Sequence, residues 1–212
     1  MKKPIQAVDA RGRKLGGETP LLCTPLVGRT RERVLAEATS VLRQKPDVIE
    51  WRVDYFGGIG DTAAVIETAR ALRGVVGKRP VIFTRRAESE GGERIAIDDA
   101  AVVELYGAVA ETRLVDFLDF EMGNDPEHLR RVRECTRRHE IRLILSYHNV
   151  SYTPGLDFLV GRFLEAERLG ADVAMVQVMP RDRADVLRLL SATAEADDKT
   201  RIPLISISLG PL

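Results

Sequence analysis

The sequence predicts an α/β fold of the (β/α)8 TIM-barrel class, on three observations. Seven short apolar runs rich in Val, Ile and Leu recur about every 30 residues, as strands covered on both faces should. Amphipathic stretches with readable helix ends separate them. A doubly wound dinucleotide-binding sheet would carry G-x-G-x-x-G after its first strand, and Gly28-Arg29-Thr30 stands there instead. A closed barrel needs eight strands. The seventh run is followed directly by Gly210-Pro211-Leu212, so seven strands are expected to be visible and the eighth βα unit to be missing.

The elements follow in order. Residues 1–20 form a polar, Gly-rich leader, and the first strand is expected at 21–27. Thr30 can cap a helix that carries Val34, Leu35, Ala38, Val41 and Leu42 on one face. After a strand at 47–53, Asp61 opens a helix bearing Val65, Ile66, Ala69 and Leu72, with Gly74 as its stop. Strands at 80–84 and 114–120 flank a helix at 97–110. Asp125-Pro126 places a cap before proline at the first helical position, leading to Leu129 and Val132. A strand at 141–147, a helix at 154–169 closed by Gly170, a strand at 172–178, a helix at 182–195 and a strand at 202–208 complete the series. No linker or low-complexity segment interrupts it, so residues 1–212 are expected to form one barrel domain behind the 1–20 leader.

Bulk properties exclude several classes of function. Positive and negative residues balance at 32 each, which gives no electrostatic footprint for nucleic acid or an anionic membrane. No apolar run approaches the ~18–20 residues that span a bilayer. Met1-Lys2-Lys3-Pro4 has no apolar stretch after it, so no secretory signal is expected. Cys23 and Cys135 lack metal-like spacing and read as reduced core thiols of a cytoplasmic protein.

Chemistry concentrates where the strands end. His148 closes the apolar run Leu143-Ile144-Leu145-Ser146-Tyr147, whereas His128 and His139 sit among charges and read as solvated. Alternation puts Glu50, Arg52 and Asp54 on one side of the second strand, costly in a packed interior unless paired or serving a polar ligand. Residues 84–93 form a charged loop with a Gly pair, longer than an ordinary βα connection. Asp119 and Glu121 share one face at the end of the fourth strand. Carboxylates near one histidine either orient it or bind a divalent metal.

These segments resemble the type I 3-dehydroquinate dehydratase family, the (β/α)8 enzymes of the shikimate pathway. The resemblance rests on Asp119-Phe120-Glu121-Met122, Leu143 through Asn149, Glu50-Trp51-Arg52-Val53-Asp54, Arg86 with Glu90-Gly91-Gly92-Glu93, and Gly170-Ala171-Asp172 with Val178-Met179-Pro180. It covers about residues 20–210. It implies conversion of 3-dehydroquinate to 3-dehydroshikimate and water, without a cofactor or metal: a lysine forms an imine with the ketone, and a histidine takes the C2 proton. His148 would be the acid/base group and Glu90 its orienting partner. Glu50, Arg52 and Arg86 would hold the substrate. The resemblance also implies a homodimer.

One residue departs from the family. Three residues before Val178-Met179-Pro180, where the family carries its lysine, stands Met175. Lys2, Lys3 and Lys14 lie in the leader, and Lys45, Lys78 and Lys199 precede strands, at the far end of a barrel from His148. The family's carboxylate-binding arginine, and the serine and glutamine after its eighth strand, would fall beyond Leu212. Three readings follow: a family enzyme nearly inactive for want of its lysine, a non-catalytic relative that binds a shikimate-pathway ligand, and a metal-dependent lyase or aldolase using His148, Asp119 and Glu121.

Overall fold

The computed structural model describes residues 5–211. Seven parallel strands follow one another in chain order: β3 (Cys23–Leu26), β4 (Val48–Arg52), β5 (Val81–Thr84), β6 (Phe117–Glu121), β7 (Arg142–Asn149), β8 (Val173–Val178) and β9 (Leu204–Ser208). A doubly wound sheet would reverse its order at a switch point; this one never does. It curls as a barrel wall does, and among the described residues β3 and β9 end the ladder without pairing to each other.

Helices α1 (Arg31–Val41), α2 (Thr62–Val76), α3 (Asp99–Thr112), α4 (Pro126–His139), α5 (Leu156–Arg168) and α6 (Arg183–Lys199) connect successive strands. The expected caps are in place: Thr30 accepts from the Arg33 amide, Asp61 from those of Ala63 and Ala64, and Asp125 from that of Glu127. The Gly74 stop is corrected. α2 runs on to Val76 and ends at Gly77, which takes the positive φ of +61° that stops a helix, whereas Gly74 keeps helical geometry.

Period-two alternation divides the strands into two faces. Ile49, Trp51, Phe83, Leu118, Phe120, Leu143, Leu145 and Val176 point outward into the helix layer and form the main core. Trp51, Phe83, Tyr106 and Phe120 stack edge-to-face through it, with centroids 5.4–5.6 Å apart. Val48, Ile82, Phe117, Ile144 and Val173 point inward as the lowest layer of the barrel.

The leader carries a feature the sequence reading lacked. β1 (Val8–Ala10) and β2 (Arg13–Leu15) pair as an antiparallel hairpin, and Ala10 and Leu15 pack onto that lowest inward layer. Arg11 at the hairpin turn donates from Nε to Asp116 at 2.6 Å, and Asp116 also accepts from Arg73 at 2.7 Å. The hairpin therefore covers the floor of the barrel. Residues 1–4 of the leader lie outside the described residues.

Cys23 is likewise corrected: it is exposed, because β3 is the end strand of the ladder, and Cys135 is only half-buried. β9, which reads as an interior strand, is the other end of the ladder.

Candidate active site

Above the inward apolar layer lies a cavity of about 920 Å³, lined by Glu50, Arg52, Arg86, Glu90, His148 and Met175 among others. All six candidate residues therefore share one space. Register explains why. Ser146 pairs with Met175 and His148 with Gln177, so alternate residues of β7 and β8 face inward in successive tiers.

His148 and Glu90 form the centre. Glu90 Oε2 lies 2.9 Å from His148 Nδ1 and also accepts the His148 backbone amide at 2.9 Å. Burial, then the cations Arg86 and Arg52, hold the imidazole pKa well below its ordinary 6.5. Burial and the neighbouring Glu121 push the Glu90 carboxyl up to about 7. Once ionised, Glu90 can only accept. The His148 proton then sits on Nδ1, and Nε2 keeps a lone pair.

Glu90 reaches His148 because its loop folds tightly. Residues Glu88–Glu90 make one 3-10 turn, and the Gly92 amide returns to the Ala87 carbonyl at 2.8 Å. A Cβ on Gly92 would lie 2.0 Å from the Arg86 carbonyl oxygen, so only glycine permits this return. The long charged loop is thus a closed structure.

Arg86 is buried beneath the pair. Its Nη1 donates to Glu121 at 3.2 Å and to Ser146 Oγ at 2.9 Å, and its Nη2 donates to Asp119. Burial opposes its charge, but Asp119 and Glu121 outweigh that and raise its pKa. Ser146 Oγ donates in turn to Asp119, and the Tyr106 hydroxyl donates to the Asp119 carbonyl at 2.7 Å. Sequence reasoning missed Ser146 and Tyr106. A hydroxyl two residues before His148 in an apolar strand was the available signal for Ser146, and nothing local marks Tyr106.

This network weighs against the metal-dependent reading. Asp119 and Glu121 already neutralise a guanidinium that would repel a cation, and His148 Nδ1 is engaged by Glu90. No group of three or more His, Cys, Asp or Glu side chains among the described residues is arranged to hold a metal ion. His128 and His139 lie half-buried on α4, outside the cavity lining.

Glu50 and Arg52 face inward from β4, as alternation predicts. Burial and nearby Asp119 raise the Glu50 pKa. Asp54 is a correction to the simple alternation. The strand ends at Arg52, and a 3-10 turn over Val53–Tyr55 carries Asp54 back beneath it, where it accepts from Arg52 Nε at 2.9 Å and Nη2 at 2.8 Å.

Met175 occupies the middle tier, buried, in register with Ser146 and Ile205 and packed on the floor layer. Lys14, Lys45, Lys78 and Lys199 are all exposed, and none lines the cavity. Lys2 and Lys3 lie outside the described residues.

A family model for type I 3-dehydroquinase matches residues 22–212. The chain is 51% identical over 210 residues to a 3-dehydroquinate dehydratase of Albidiferax ferrireducens, covering 99% of this chain and 78% of that protein. It superposes on the crystal structure of 3-dehydroquinate dehydratase from Geobacillus kaustophilus HTA426 with a TM-score of 0.96 and 39% identity, covering 100% of this chain and 82% of that one. The type I enzyme from Clostridium difficile, solved with covalently modified comenic acid, superposes at 0.93 with 31% identity over 97% of this chain and 81% of its own.

Proposed function

Since this chain belongs to the type I 3-dehydroquinase family, we propose that it binds 3-dehydroquinate in the inward cavity and turns it over very slowly, because Met175 denies the reaction its amine. The observation that carries this reading is the thioether in the middle tier, with no described lysine in the lining.

The residues divide the work as follows. His148, neutral at Nε2, is the base for the C2 proton and later the acid that assists departure of the C1 hydroxyl as water. Glu90 fixes the tautomer by accepting from Nδ1. Arg52 and Glu50 meet the ring hydroxyls. Arg86 supplies field rather than reach, because its Nη1 and Nη2 are engaged by Asp119, Glu121 and Ser146. A lysine imine would withdraw electrons from the developing carbanion. Methionine matches lysine in length and fills the same volume, but its sulfur cannot condense with a ketone. Proton transfer at His148 therefore lacks its electron sink.

Incubation with 3-dehydroquinate followed by borohydride should leave the intact mass unchanged, while calorimetry shows saturable binding. A reduced adduct on the chain would overturn the first half of the reading, and absence of binding the second. Assembly as a homodimer in the cytoplasm belongs to the same reading. It is supported by the family resemblance and by the lack, among the described residues, of any helix long and apolar enough to cross a membrane. Sedimentation checks the dimer.

A further inference from the structure

We propose that Asp54 is a positioning residue: one buried carboxylate clamps both ends of the 86–93 segment and so ties the pose of Arg52 to the Glu90–His148 pair. This rests on the roles given above to Arg52, Glu90 and His148.

Asp54 is 4% exposed and accepts four hydrogen bonds. Two come from Arg52, to Oδ1 and Oδ2. The others come from backbone: the Arg86 amide to Oδ1 at 3.4 Å and the Glu93 amide to Oδ2 at 3.1 Å. Arg86 and Glu93 are the first and last residues of the segment that presents Glu90. Within it, the Glu90 and Gly92 amides both return to the Ala87 carbonyl, at 3.0 and 2.8 Å. The Ala87 amide is held in turn by Glu121 at 2.6 Å. A segment so closed moves as one piece. Whatever fixes its two ends fixes Glu90, and through Glu90 the His148 ring.

The residue type is specified by donor count. An ionised carboxylate is acceptor-only with about four lone-pair sites, and four donors converge here. Asparagine would turn one oxygen into an N–H facing either Arg52 Nε with the Arg86 amide or Arg52 Nη2 with the Glu93 amide. The clamp also orients the guanidinium. Nε and Nη2 are taken, the Tyr55 ring lies 5.1 Å from Arg52 Cζ, and Nη1 carries neither bond to Asp54. Arg52 is thus offered to the cavity at Nη1 while the same carboxylate holds the segment that carries the base's partner.

The test is Asp54→Asn, read without ligand. Exchange of the Glu93 amide should accelerate about tenfold or more, the equivalent of one lost hydrogen bond. The His148 15N shifts should move from a single Nδ1–H tautomer to a mixture. A folded variant with both readouts unchanged overturns the proposal. If the lone substitution prevents folding, the pair Arg52→Gln and Asp54→Asn removes both charges of the ion pair and is judged by the same readouts. In the unaltered chain, the Arg86 and Glu93 amides should share one denaturant dependence of exchange. Independent opening overturns the clamp whether or not a variant folds. Calorimetry separates the two levels of inference. If the unaltered chain fails to bind 3-dehydroquinate, the functional reading falls, while the exchange data still decide the clamp.

Discussion

On the β4–β7 side of the cavity, charged groups hold one another: Arg52 on Asp54, Arg86 on Asp119 and Glu121, His148 on Glu90. On the β8–β9 side stand Met175, Ile205 and Ile207, with Gln177 beside them. One wall is built of paired charges and the other carries no charged side chain, with Met175, Ile205 and Ile207 beside the neutral Gln177 and Ser206. On the function proposed above, the acid–base groups and the electrophile that makes them useful are therefore separable, since the charged groups of the first wall hold one another. A methionine on the apolar wall leaves the polar wall's hydrogen bonds untouched.

The largest effect should come from making the apolar wall reactive. Met175→Lys should raise turnover by at least about a thousandfold, some 4 kcal/mol of barrier, followed by absorbance of the conjugated product, and should yield a borohydride-stable adduct. No adduct would mean that the two walls are not aligned for chemistry. Next comes breaking the polar wall. Arg86→Ala strands Asp119 and Glu121 without their cation and should cost about 3–5 kcal/mol in urea denaturation. Arg86→Lys should recover only part of that, because a single ammonium cannot reproduce a planar fork serving three acceptors.

The smallest effect concerns pH. Below 6.5 an unfolded histidine takes a proton that native His148 refuses, so its contribution to stability is lost as pH falls through that value. Glu90 acts oppositely. Between 4.5 and about 7 the native carboxyl keeps a proton that the unfolded one releases, so its contribution grows as pH falls through that window. The two offset each other. Glu90→Gln should expose the His148 loss as a steeper fall in thermal midpoint below pH 6.5, and an unchanged profile would count against the coupling.

Much of this was legible in the sequence because strand periodicity is local. The seven apolar runs and the capping residues need no distant partner to be recognised, and the inward tier of Glu50 and Arg52 follows from alternation alone. What resisted reading depends on distance or dihedral. Glu90 meets His148 across 58 positions, which only the family resemblance suggested. Gly74 and Gly77 look alike as letters and differ by φ. Asp54 reads as the next inward position of the strand, yet a 3-10 turn takes it out of the alternation and decides what it binds.

The hairpin at Val8–Leu15 carries a consequence for how the chain folds. It precedes all seven parallel strands in the sequence, but the surface it covers is assembled from Val48, Ile82, Phe117, Ile144 and Val173, and its turn is tied to Asp116 across 105 positions. Until β8 has been made and docked, the hairpin has no complete seat, and a two-stranded ribbon alone is marginal in water. The hairpin therefore settles late, and the high sequence separation of its contacts slows that closing step. The end of the barrel opposite His148 is thus sealed by a segment whose seat is complete only once β8 is in place.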